Sequence, residues 1–134
     1  YNAKKLSTRS LDQMIKEFNI PLPDIIKIDT QGSEVDIFKG ANNSLKNCKL
    51  VLTETPIIEY NKGAPHLNDY IDFLKQYLLV PVGIEEIHII DNTLVQMDIV
   101  FLKKDIKDNI FGKAAIISDS LIMPIKEEKK IYLG

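Results

Sequence analysis

Two short apolar runs, Ile25–Ile28 and Leu50–Thr53, each end on a carboxylate, Asp29 and Glu54. Between them lies Thr30-Gln31-Gly32, a turn, and then Val35, Phe38, Ala41 and Leu45 at helical spacing. A strand, a helix and a strand in this order are joined most simply as a parallel pair with the helix crossing over one face. Ser33 is placed to cap the helix, and Gly40 within the stripe costs about 1 kcal/mol relative to alanine, which close packing against a neighbour would justify. The strand Ile25–Ile28 reads as a buried one, with Lys27 reaching its head to the margin of the sheet.

The flanking segments extend the pattern. Ser10-Leu11-Asp12-Gln13 has the form of a capping box, and Leu11, Met14, Ile15 and Phe18 make one apolar helix face. Asn19 suits the end of that helix, and Pro21 and Pro23 prevent its continuation. After a loop rich in turn formers from Glu59 to Pro65, Leu67, Tyr70, Ile71, Leu74 and Tyr77 or Leu78 mark the clearest amphipathic helix. Val80 to Ile90 and Leu94 to Leu102 then read as two strands joined at Asp91-Asn92-Thr93. Val95, Met97, Ile99 and Phe101 alternate with Gln96, Asp98 and Val100, as an antiparallel strand with unlike faces requires. The fold class expected is α/β: parallel strands with helices on the sheet faces and an antiparallel hairpin at one edge. Beyond residue 104, Ala114 to Ile117 and Leu121 to Ile125 read as short extended pieces, and Lys126 to Lys130 as a solvated charge run. Residues 1–104 are therefore taken as one domain and 105–134 as an extension without an assigned role.

Composition removes several classes of function. The 134 residues suffice for one ordinary domain. A net charge of −2, with scattered basic residues and Arg9 as the lone arginine, gives no nucleic-acid footprint. No apolar run approaches the ~20 residues of a membrane span. Cys48, the single cysteine, fits a reducing compartment, and no signal-peptide pattern opens the chain, so a cytoplasmic location is expected. Tyr1 stands where an initiator Met is expected, which suggests further residues upstream.

The chemistry lies with the strand ends. Ligands of open parallel sheets bind beyond the carboxyl ends of the strands. If the two runs are neighbours, Asp29 and Glu54 lie ~5 Å apart, with Glu34 close by. Crowded carboxylates raise a pKa to make a base, gather a metal, or grip a cationic ligand. Asp is also common at strand-to-helix turns, and Glu34 equally suits a helix N-terminus. His66, in the loop before the third helix, is a further candidate base, although a surface histidine fits it as well; His88 receives no role. There is no nucleophile elbow of the G-x-S-x-G kind and no receiver-like aspartate set.

The stretch "LDQMIKEFNIPLPDIIKIDTQGSEVDIFKGA" resembles the FkbM family of S-adenosylmethionine-dependent methyltransferases, whose pattern has an "LD.L" helix, then "IKIDVEGxE...LKGA" and a strand ending in Glu. "VQMDIVFLKK", Val95 to Lys104, looks like the family's closing strand. The likeness runs from about Ser10 to Lys104. It implies a Rossmann-like class I methyltransferase fold, a seven-stranded sheet of parallel strands with one antiparallel strand inserted near an edge, of which this chain would be the C-terminal part, with Ile25–Ile28 as its fourth strand, Leu50–Thr53 as its fifth, and Val80–Ile90 and Leu94–Leu102 as its sixth and seventh. It also implies O-methylation of a hydroxyl on a sugar or natural product, with S-adenosylmethionine as cofactor and no metal assigned. On this reading Asp29, Gln31 and Glu34 are expected to meet the cofactor, Glu34 and Glu54 to shape the acceptor pocket, and Asp29, Glu54 and, as a weaker candidate base, His66 to be catalytic. Two departures stand out. The glycine-rich loop that holds the cofactor in such folds is absent from this sequence, and the family's usual Glu is Gln31, which can hydrogen-bond but cannot act as a base. A half domain of this kind alone is expected to be inactive. It would leave the Ile25–Ile28 edge to be covered by a partner chain or a second copy. The rival reading is a degenerate, non-catalytic binding or assembly module.

Overall fold

In the computed structural model, which describes residues 3–112, the first helix begins at Ser10, as the capping box requires. The Gln13 amide donates to Ser10 Oγ at 3.2 Å, and the Ser10 amide to Gln13 Oε1 at 3.0 Å. This helix, α1 (Leu11–Glu17), ends where Asn19 turns left-handed at φ 50° and the Ile20 amide reaches back to the Ile15 carbonyl at 3.0 Å. That is the Schellman closure that Asn tolerates well.

Strand β1 (Ile25–Ile28) follows, then α2 (Glu34–Lys39) and α3 (Asn42–Asn47). The stripe from Val35 to Leu45 read as one helix is thus two, broken at Gly40 and Ala41. All of Val35, Phe38, Ala41 and Leu45 are still buried. The break has a cause in α1. Ala41, at the N-cap of α3, has no side-chain acceptor to offer. The Asp12 carboxylate supplies one from across the fold, accepting from the Asn43 amide at 2.7 Å, the Ser44 amide at 3.0 Å and Ser44 Oγ at 2.6 Å. Burial alone would push its pKa up; the Ser44 hydroxyl and these two amides outweigh it and hold the carboxyl below its ordinary value. Gly40 lies at the same contact. A Cβ there would stand 2.7 Å from Ser10 Cβ, closer than real side chains approach, so the glycine is required by packing.

The remaining elements are β2 (Leu50–Pro56), α4 (Leu67–Lys75), β3 (Leu79–Ile90) and β4 (Thr93–Lys103). They form a mixed α/β layer pair with a four-stranded sheet in the order β1-β2-β4-β3. β1 and β2 are parallel; β4 runs antiparallel to both its neighbours. The hairpin is therefore not simply added at the rim: its second strand is inserted between β2 and β3. Asp91 and Asn92 turn it with φ 48° and 61°, the left-handed pair that suits a tight hairpin.

One face of the sheet carries the core. Ile26, Ile28, Val51, Ile99 and Phe101 meet Val35, Phe38, Leu45, Tyr70 and Leu74 from the helices. Phe38 packs edge-on to Tyr70 and stacks on Phe73, with ring centroids 6.2 and 6.0 Å apart. β1 is not the doubly buried strand expected: it alternates, and Ile25, on the other face, is 65% exposed. Lys103 closes the layer, its Nζ donating to the carbonyls of Leu45 at 2.7 Å and Tyr77 at 2.6 Å and so tying together the ends of α3 and α4.

A second unit begins at Lys104; its described part, residues 104–112, is helical. The extended pieces expected at Ala114 to Ile117 and Leu121 to Ile125, and the charge run Lys126 to Lys130, lie outside the described residues. Among the described residues no helix is long and apolar enough to cross a membrane.

Candidate active site

The parallel pairing of β1 with β2 sets Ile28 beside Thr53, so the residues that follow, Asp29 and Glu54, emerge side by side. The register continues the row. Glu54 pairs with Asp98 of β4, and Asp98 with Glu86 of β3. Asp29, Glu54, Asp98 and Glu86 thus cross the sheet in one line at its rim. His88 and Gln96 form the next pair along. This row lines a cavity of about 730 Å³, closed on another side by the turn at Gln31 and by Tyr60, Asn61 and Pro65.

Like charges set directly opposite one another repel. Glu54 answers by holding its proton: burial, a hydrogen bond to Asp29 and the charges of Asp29, Glu34 and Asp98 push its pKa up to about 7. The Asp98 carboxyl is also raised. Burial is the main cause, with Glu86, Asp29 and Glu85 adding to it and His88 opposing it. Its Oδ1 is buried and accepts no hydrogen bond among the described residues.

Glu34 belongs to the same rim but has a different situation. It is 1% exposed. Its oxygens accept from the Thr30 amide at 2.9 Å, Thr30 Oγ1 at 3.1 Å, the Gly32 amide at 3.0 Å and the Tyr70 hydroxyl at 2.8 Å. Burial would raise its pKa, but the Tyr70 hydroxyl and the donors of the turn prevail and hold it below the usual carboxylate value. Tyr70 is raised in turn, by burial and by Glu34. The carboxylate is occupied by the chain's own donors, and its part is to fix the turn in which Gln31 (φ 55°) and Gly32 (φ 115°) adopt left-handed backbone. Gln31 lines the cavity from that turn.

His66 is placed elsewhere. It precedes α4, its amide donates to Asp69 Oδ2 at 3.0 Å, and its ring nitrogen lies 3.3 Å from the same carboxylate. It does not line the cavity, whereas His88, to which the sequence assigned nothing, does. The sequence signal for Asp98, Glu86 and His88 is weak. Each occupies the polar side of an alternating strand, where charged residues need no special reason.

The model of the FkbM methyltransferase domain matches residues 1–86. This chain therefore belongs to the FkbM methyltransferase family. The match ends within β3, so the likeness of Val95 to Lys104 lies beyond it. The hexuronic acid methyltransferase AglP of Haloferax volcanii is 31% identical over 49 residues, covering 37% of this chain and 20% of that protein. The 2-O-methyltransferase NoeI of Sinorhizobium fredii is 31% identical over 91 residues, covering 66% of this chain and 37% of that protein. The chain thus spans well under half the length of either relative. No solved structure shows a significant match.

Proposed function

We propose that this chain forms part of an S-adenosylmethionine-dependent O-methyltransferase, and that the cavity at the strand ends receives a hydroxyl of a sugar or similar small molecule. The observation that carries the reading is the Asp29–Glu54 carboxyl pair, set by neighbouring parallel strands at the mouth of a polar cavity. The order β1-β2-β4-β3, with β4 antiparallel between parallel neighbours, supports a class I methyltransferase sheet whose fourth and fifth strands are β1 and β2. The names of the relatives, a hexuronic acid methyltransferase and a 2-O-methyltransferase, support a sugar acceptor.

An acidic rim fits a sulfonium cation by charge, and Asp29 and Gln31 are the residues that would meet it. S-adenosylmethionine, when bound, supplies an electrophilic methyl group. The chain's own residues orient the acceptor and take its proton. Glu54, with a pKa near 7, is matched in its ionised form to accept a proton from a hydroxyl at neutral pH, and once protonated it donates a hydrogen bond to Asp29. Glu34 and Tyr70 act as positioning residues, keeping the turn at Gln31 in place. The same reading sets further polypeptide against the outer edge of β1, where Ile25 is exposed.

Calorimetric titration of the complete enzyme of which this chain forms part with S-adenosylmethionine, followed by mass detection of a methylated uronic acid or other sugar, tests the proposal. Micromolar binding and transfer to a hydroxyl are expected. Binding without transfer to any hydroxyl acceptor would favour the non-catalytic module, and absence of binding would overturn the proposal.

A further inference from the structure

Beside the Asp29–Glu54 pair, the hairpin holds a second set of groups that methyl transfer does not use. Glu86 and His88 are two residues apart on β3 and so project from the same face of the sheet. Asp98 of β4 is paired directly with Glu86. Their donor atoms all lie within 4.8 Å of one another, and His88 Nε2 is 3.8 Å from both Glu86 Oε2 and Asp98 Oδ1. These separations are too long for hydrogen bonds. Donors that share one cation at ~2.1 Å lie roughly 3.0–3.4 Å apart, so small rotations of His88 toward Asp98 and of Glu86, the most exposed of the three, close the set.

Two further observations point to a cation. Asp98 Oδ1 is shut off from solvent and accepts no hydrogen bond among the described residues, a costly condition for a carboxylate oxygen. The row Asp29, Glu54, Asp98 and Glu86 also sets like charges against each other on adjacent strands, and the half-buried His88 is the basic side chain among the residues that line the cavity. A divalent ion at the Asp98 end would satisfy the buried oxygen and relieve the row together.

We infer that Glu86, His88 and Asp98 bind a divalent cation at the wall of the acceptor cavity. An imidazole with two carboxylates favours first-row transition ions such as Mn²⁺, Co²⁺ or Zn²⁺ over Mg²⁺ and Ca²⁺, which prefer all-oxygen sites. Three protein ligands leave coordination positions open toward the cavity, where a hydroxyl oxygen of the acceptor can bind and be held near Glu54. The cation site stands by itself; only this last role rests on the methyltransferase reading.

Titration of the full chain with Co²⁺, followed by its visible absorption, is the test. One ion per chain is expected, with bands showing nitrogen ligation. His88→Ala and Asp98→Asn should each weaken binding by about tenfold or more. Glu86→Gln, at an exposed position, should do so without risk to folding, while His66→Ala should change nothing. No stoichiometric Co²⁺ binding, or equal binding by the folded His88→Ala and Asp98→Asn variants, overturns the inference. Calorimetry with S-adenosylmethionine in the absence of metal reads the methyltransferase proposal separately, so failure of one leaves the other measurable.

Discussion

Glu34 is the residue whose role changes most between sequence and structure. At a strand-to-helix turn it has the look of a rim carboxylate free for a ligand. Folded, it is buried and saturated by Thr30, Gly32 and Tyr70. Its pKa is held below the ordinary 4.5, so it contributes stability above that value and loses it as pH falls through the depressed folded value. Glu34→Gln should therefore cost roughly 2–3 kcal/mol at pH 7, where it leaves amide and hydroxyl donors facing a neutral group. The difference from wild type should shrink below about pH 4. Denaturant melts at both pH values check this; a difference that does not vary with pH would refute it. Tyr70→Phe, which removes one donor, should cost about 1 kcal/mol.

At the scale of elements, most of the order was legible because each signal was local. Ser10 with Gln13, Asn19 before two prolines, and the alternation of Val95, Ile99 and Phe101 each depend on residues close in sequence. What was hidden depended on contacts distant in sequence. Nothing near Ala41 shows that Asp12 will cap α3, so the break between α2 and α3 was not visible. The hairpin illustrates the same limit. Counting back from the turn pairs Ile90 with Thr93 and Ile89 with Leu94, and would set Glu85 opposite Asp98. An irregularity between His88 and Ile89 shifts the register by one residue and brings Glu86 there instead. A shift of one residue exchanges the faces of a strand, which decides which carboxylate joins the rim and sets His88, rather than Ile87, opposite Gln96. The contact of Gly40 with Ser10 gives a prediction at this scale. Gly40→Ala, which would be favourable within one continuous helix, should instead destabilise the protein by about 1–3 kcal/mol because the added methyl overlaps Ser10 Cβ. Thermal melting decides it; an unchanged or raised midpoint would show that α1 can move away.

Across the whole molecule, the sheet separates stability from chemistry. One face buries the apolar core against the helices, and the rim concentrates acid where it costs stability. Glu54 shows the cost. In the folded protein its proton is retained up to about pH 7, whereas the unfolded chain releases it near 4.5. Stability from this group is therefore lost as pH rises between those values. With a chelator present, Glu54→Gln should raise the melting temperature at pH 8 by a few degrees and change it little at pH 4. A lower melting temperature at pH 8 would contradict the repulsion inferred along the row. A side chain that lowers stability and lines a polar cavity is the expected mark of a site shaped for function.

The most direct measurement of the central claim is the rate of methyl transfer from S-adenosylmethionine to a sugar hydroxyl by the complete enzyme of which this chain forms part and by its Asp29→Asn and Glu54→Gln variants. The pair is expected to act as the proton acceptor. Each variant should then lose about a hundredfold or more in kcat while still binding S-adenosylmethionine. Turnover within a few fold of wild type in both folded variants would contradict the account.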